Sequence, residues 1–121
     1  MSVSVNAFEG KVVLVVEDDA IIAMALVDNL EEAGACVLGP VSSVAAALQI
    51  LKDDAVDGAL LDINLIGEQS YPVAEVMTAM GRPFVFVSSL TKAQVPEAYQ
   101  SRLLDKMASL TRVGDLLFEA T

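Results

Sequence analysis

Five times along the chain, a short apolar run gives way to a longer segment whose apolar residues recur at helical spacing. Residues 11–16 form a continuous, largely β-branched run that ends at Glu17, Asp18 and Asp19. Such a run predicts a central parallel strand, buried on both faces, with acids at its carboxyl end. From Ala20 the period changes: Ile22, Leu26, Leu30 and Ala33 mark a helix, and Gly34 supplies its stop. Residues 36–38 read as a second short strand closed by Gly39 and Pro40. Ser42 or Ser43 is then placed to cap a helix with the stripe Val44, Ala47, Leu48 and Leu51. A third strand over residues 58–61 ends at Asp62.

After a loop over residues 64–71, Pro72 suits the first turn of a helix carrying Val73, Val76, Met77 and Met80. Both methionines are expected to fill the core. The fourth strand, residues 83–87, runs into Ser88 and Ser89. Residues 91–100 are polar and broken by Pro96, so any helix there is expected to be short or frayed. Leu103 and Leu104 make a weak fifth strand before Asp105 and Lys106. Ser109 caps a last helix marked by Leu110, Val113, Leu116 and Leu117, with Gly114 lowering its expected stability.

Five strand–helix units predict an α/β fold: a doubly wound parallel sheet covered by helices on both faces. Right-handed crossovers leave few topologies, and at 121 residues the flavodoxin-like (βα)5 arrangement, strand order 2-1-3-4-5, is the natural one. Residues 1–10 read as an N-terminal extension and residues 11–121 as a single domain. The 55% hydrophobic content is aliphatic rather than aromatic, which suits buried strands under small-residue helices.

Charge and composition narrow the function. A net charge of −10 disfavours nucleic acid and anionic membranes as direct partners. No apolar run reaches the roughly 20 residues of a membrane span, and no signal core opens the chain, so a cytoplasmic protein is expected. The lone Cys36 excludes an internal disulfide and is expected to be a buried thiol. The absence of histidine removes His-based triads and any phosphohistidine role in this chain.

In an open α/β sheet, sites form at the carboxyl ends of the strands. Those ends carry Glu17, Asp18 and Asp19 on the first strand, Asp62 on the third, Ser88 and Ser89 on the fourth and Lys106 on the fifth. The first and third strands are neighbours in the expected order, so their carboxylates converge. Each close pair of carboxylates repels by about 4 kcal/mol at an effective dielectric of ~20, which calls for a hard divalent ion such as Mg²⁺. An aspartate beside a metal and a lysine can attack a phosphoryl donor to form an aspartyl phosphate. Mg²⁺ and Lys106 would share the transferring charge, and the Ser88 hydroxyl can hydrogen-bond the product. Asp19 is assigned to the helix cap or to solvent. Taken singly, each of these residues has an ordinary structural use; the coincidence of all of them at strand ends carries the reading.

Glu17-Asp18, Asp62, Ser88 and Lys106, each after its strand, resemble the signature of response-regulator receiver domains, over residues 11–118. The resemblance implies that Asp62 is the phosphoacceptor and that Asp18 ligates the metal, with Glu17 acting directly or through water. It implies further that the backbone carbonyl of Asn64 completes the metal shell, Ser88 is the switch hydroxyl and Lys106 binds phosphate. The partners implied are a sensor histidine kinase or phosphotransfer protein and a downstream output protein. The segments Leu61-Asp62-Ile63-Asn64-Leu65, Gly67-Glu68, Pro72-Val73-Ala74 and Pro83-Phe84-Val85-Phe86 are similar to single-domain receivers with a Pro-Phe-x-Phe-Ala-Thr-Gly motif. This chain reads Val87-Ser88-Ser89 at the motif's end. It also has Leu103 where receivers usually place an aromatic, and Met107 where they place a proline. Because a non-proline cis bond costs about 2.5–4 kcal/mol, a trans bond and an altered loop are expected at Met107.

Two rival functions follow from the same residues. A degenerate receiver would bind partners without phosphorylation. A phosphatase with an aspartyl-phosphate intermediate would use Asp62 as nucleophile, but its motif normally carries a second aspartate where Asn64 stands.

Overall fold

The computed structural model describes residues 7–106 and 108–118. Its central sheet holds five parallel strands: β1 (Val12–Val16), β2 (Cys36–Val41), β3 (Gly58–Leu61), β6 (Phe84–Ser88) and β7 (Leu103–Asp105). Between β3 and β6 in sequence lies a separate antiparallel hairpin, β4 (Asn64–Leu65) with β5 (Glu68–Gln69). The main sheet runs β2-β1-β3-β6-β7, which is the expected 2-1-3-4-5 once the hairpin strands are left out of the count.

Among the described residues three α-helices connect these strands, α1 (Ala20–Glu32), α2 (Val44–Asp53) and α3 (Tyr71–Ala79), and a fourth, α4 (Leu110–Phe118), follows β7. They divide between the two faces, because alternate strand residues point to opposite sides. Leu14, Ala59, Leu61 and Phe86 pack with α2 and α3. Val13, Val15, Leu60 and Val85 pack with Leu30 of α1 and with Val113 and Leu117 of α4. The fourth crossover has no α-helix. As Pro96 foretells, it consists of two 3₁₀ turns, Lys92–Gln94 and Glu97–Arg102.

The caps are those the sequence offers. Asp19 accepts the N–H groups of Ile21 and Ile22 at 2.9 and 3.1 Å, Ser43 accepts that of Ala46, and Ser109 accepts that of Arg112. Gly34 closes α1 with φ +95°, a left-handed conformation that lets Ala35 N–H return to Leu30 O at 3.0 Å.

Several expectations are corrected. β2 does not stop at Gly39 but continues through Pro40 to Val41, with a register irregularity opposite Leu14 and Val16. Proline is tolerated there because β2 is the edge strand and needs no ladder partner on its outer side. The same edge position leaves Cys36 exposed rather than buried. Met77 is in the core, but Met80 caps α3 where the chain turns away and is 41% exposed. The loop after Asp62 is partly ordered as the β4–β5 hairpin. Met107 and residues 1–6 lie outside the described residues, and with them the expectation for the Met107 peptide bond.

Phe8, in the segment before β1, is buried between the sheet and α4 and meets Phe118 edge-to-face at 5.7 Å. Gly114 makes the room: a Cβ there would lie 2.9 Å from the Phe8 ring. The helix-weakening glycine thus has a packing reason. Phe8→Ala is expected to destabilise by about 3–5 kcal/mol. Gly114→Ala is expected to destabilise the wild type but to stabilise the Phe8→Ala background, by about 0.5–1 kcal/mol from helix propensity. Urea denaturation of the four proteins in this cycle checks the reversal of sign.

Candidate functional site

β1 and β3 are neighbours, with Val16 opposite Leu61, so the residues that follow them emerge at the same level. The ladder extends one step further on each side: Asp62 N–H donates to Val16 O at 2.8 Å, and Glu17 N–H donates to Val41 O at 2.9 Å. Backbone bonding therefore fixes where both acids leave the sheet. Glu17 and Asp62 are 5% and 6% exposed, and Asp18 is half-buried. One carboxylate oxygen from each of the three lies within 4.8 Å of the others. Asp19 bonds the start of α1 instead, and its own N–H donates to Glu17 Oε2 at 3.1 Å.

Lys106 follows β7, two strands away from β3, yet its side chain reaches back across the end of β6. Its Nζ lies 3.3 Å from Asp62 Oδ2 and 3.4 Å from Glu17 Oε1. Burial, together with the hydrogen bond and charge of Asp62, pushes the Glu17 carboxyl up to about 7, against the opposing pull of Asp19 N–H and Lys106. Burial pulls the Lys106 ammonium down, but Asp62 and Glu17 outweigh it and raise it above an ordinary lysine.

Three carboxylates thus face one ammonium, and each carboxylate pair at this spacing repels by roughly 3–4 kcal/mol at an effective dielectric of ~20. The donor set is all oxygen and drawn from two adjacent strand ends, which fits a hard divalent cation.

Two further expected residues lie at the same end of the sheet, Ser88 on β6 and Asn64 just after β3. Ser88 ends β6, beside β3, and is 2% exposed, with its Oγ accepting Leu90 N–H at 3.1 Å; Ser89 is exposed. Asn64 opens the hairpin two residues after Asp62, and its side-chain oxygen accepts from Gln69 Nε2 at 3.2 Å. Leu103 is half-buried. Tyr99 stacks on Tyr71 with ring centroids 5.5 Å apart and meets Phe84 and Phe86 edge-on. Sequence reasoning used Glu68 only in a motif and gave its side chain no role; its carboxylate accepts the N–H of Val44, 24 positions away. No local pattern announces so distant a partner.

No family model and no curated protein matches the chain. Solved structures do. The chain is 36% identical to SdrG from Sphingomonas melonis Fr1, covering 96% of this chain and 95% of that one, with a TM-score of 0.76. It is 35% identical to SdrG from Pseudomonas melonis Fr1 in its BeF3-activated conformation, covering 89% and 90%, with a TM-score of 0.71. A response regulator receiver protein from Sinorhizobium medicae matches at 25% identity, covering 92% and 94%, with a TM-score of 0.75. With its strand order, its clustered carboxylates and more than a third of its residues shared with SdrG, this chain belongs to the response-regulator receiver domain family.

Proposed function

We propose that the chain is a single-domain response regulator of the Pro-Phe-x-Phe subgroup, acting in the cytoplasm as a phospho-switch rather than as an enzyme. Asp62 accepts a phosphoryl group from a histidine kinase or phosphotransfer protein, and a changed protein-binding face then engages an output protein. One observation carries this reading. The Asp62 carboxylate is held among two further acids, with the Lys106 ammonium at 3.3 Å.

A carboxylate oxygen of Asp62 attacks phosphorus, and the bond from phosphorus to the donor's leaving group breaks as the new O–P bond forms. Mg²⁺, held by Glu17, Asp18, Asp62 and the Asn64 carbonyl, would supply the positive charge that offsets the crowded carboxylates and the phosphoryl oxygens. Lys106 already points at Asp62 and is placed to pair with a phosphoryl oxygen. Ser88, buried at the end of the strand beside β3, is the hydroxyl placed to follow the phosphoryl group; it would exchange its bond from Leu90 N–H for one to phosphate. The degenerate-receiver alternative draws only on the sequence departures at Leu103 and Met107, neither of which is a proposed phosphoacceptor or metal ligand.

Acetyl phosphate with Mg²⁺, read by intact mass, is expected to add one phosphoryl group to wild type and none to Asp62→Asn. An adduct surviving in Asp62→Asn, or none in wild type, overturns the proposal, and multiple turnover of a phosphomonoester would point to the phosphatase. Since one relative adopts a BeF3-activated conformation, beryllofluoride is expected to shift the NMR resonances of Ser88 and residues 91–105.

The raised carboxyl of Glu17 makes the metal-free protein sensitive to pH. Glu17 faces Asp62, Asp18 and Lys106, and its folded pKa lies above its ordinary 4.5. Its favourable protonation is fully present below about pH 4.5 and is lost as pH rises through about 7, a loss of at most about 3 kcal/mol. The raised Lys106 acts with the same sign, but its contribution is lost only on the alkaline side, as pH rises past the ordinary lysine range. In EDTA, stability is expected to fall between pH 5 and 8. Glu17→Gln is expected to flatten that fall, and Mg²⁺ to restore stability at pH 8 in wild type alone. Urea titrations across this range check the sign.

A further inference from the structure

We infer that Glu68 is a positioning residue for the cation site, holding the β4–β5 hairpin against the N-terminus of α2 so that the chain following Asp62 is fixed. The inference rests on the reading that Glu17, Asp18 and Asp62 hold a divalent cation.

The hairpin begins two residues after Asp62 and contains two cross-strand pairs, Asn64 with Gln69 and Leu65 with Glu68. Two-stranded hairpins are marginal by themselves, so contacts outside the hairpin decide how it is oriented. Its inner side is anchored by the buried Ile63 and Leu65, and by Ser70 N–H donating to Ile63 O at 2.9 Å. Its outer strand, Glu68 and Gln69, is exposed. There the Glu68 carboxylate accepts the N–H of Val44 at 2.9 Å.

Val44 is the first residue of α2, and its N–H is one of those a helix leaves without an internal partner. An anion is favoured at that end. Ser43 satisfies Ala46 N–H at 3.1 Å, so side chain and hairpin divide the cap between them.

The path of this latch gives it meaning. α2 follows β2, whose last residue, Val41, accepts the N–H of Glu17. The hairpin follows β3, which ends at Leu61, immediately before Asp62. The Glu68–Val44 bond therefore spans from the chain after β3 to the helix after β2, with β1 and its acids between them. Losing the bond frees the outer strand of the hairpin, and with it Asn64, while leaving every acid of the cluster in place.

The test measures Mg²⁺ affinity by calorimetry, alongside thermal unfolding in EDTA. Glu68→Ala is expected to weaken Mg²⁺ binding by about tenfold, the lower end for residues that support metal ligands. Val44→Pro deletes the donor while leaving Glu68 untouched. Proline suits the first helical position, and Ser43, at φ −139° and ψ 156°, suits the residue before it. It is expected to weaken binding equally, and the double variant no further.

Glu68→Gln keeps an acceptor oxygen and is expected to stay within about twofold of wild type. Were Glu68 acting as a remote charge on the cation, Glu68→Gln would weaken binding as much as Glu68→Ala, and Val44→Pro would do nothing. That pattern overturns the inference. So does unchanged affinity in both Glu68→Ala and Val44→Pro, whatever their unfolding temperatures; if one of the two fails to fold, the other decides. If wild type itself shows no saturable Mg²⁺ binding, the cation reading has failed and this inference falls with it.

Discussion

The mutual repulsion of Glu17, Asp18 and Asp62 is the constraint around which the carboxyl end of the sheet is organised. Parallel strands point all their carboxyl ends the same way, so acids that follow adjacent strands cannot avoid one another. The fold makes no attempt to separate them. It anchors Glu17 and Asp62 by backbone bonds to the neighbouring strands, buries both, and brings a lysine from two strands away to lie against them. Burial first, and then the neighbouring Asp62, raise the Glu17 carboxyl despite the opposing pull of Asp19 N–H and Lys106. A site strained in this way favours added positive charge, and its surplus of negative charge is greatest when no cation is bound.

How far this was legible in the sequence depends on how local each signal is. The strands β1 and β3 announce themselves as unbroken apolar runs, and Asp19, Ser43 and Ser109 as caps, because each is decided within a few residues. The adjacency of β1 and β3 needed only the topology rules of parallel sheets, and with it came the convergence of the acids. Cys36 was misread because an apolar neighbourhood in sequence does not say whether a strand is central or at the edge. The Glu68–Val44 bond and the seating of Phe8 on Gly114 were invisible for a plainer reason: each joins residues far apart in the chain through a single contact.

Gly114 shows how a local rule misleads when the tertiary contact is unknown. Helix propensity counts it as a weakness of α4. In the folded chain its missing Cβ is the space that Phe8 occupies, so the helix gives up local stability for a buried aromatic on the sheet's α1–α4 face.

The segment between Ser88 and Lys106 carries the same logic to the other side of the site. It lacks the cooperative ladder of an α-helix. Side chains hold it instead: Gln100 donates to the carbonyls of Lys92 and Val95, and Arg102 donates to those of Phe84 and Leu116. Tyr99 rests on Tyr71, Phe84 and Phe86, so aromatic packing absent at Leu103 is supplied four residues earlier in the chain. Phe84, Phe86 and Ser88 alternate onto one face of β6, which puts the buried hydroxyl in line with the rings that support Tyr99. A segment held by a few separable contacts belongs to the low-stability end of a domain. In this chain that end is continuous with both Ser88 and Lys106, whereas Glu17 and Asp62 directly follow β1 and β3, which have strand neighbours on both sides. The division between a rigid acidic floor and a loosely tethered wall is what the proposed switch requires, since a phosphoryl group on Asp62 would then move the wall without disturbing the floor.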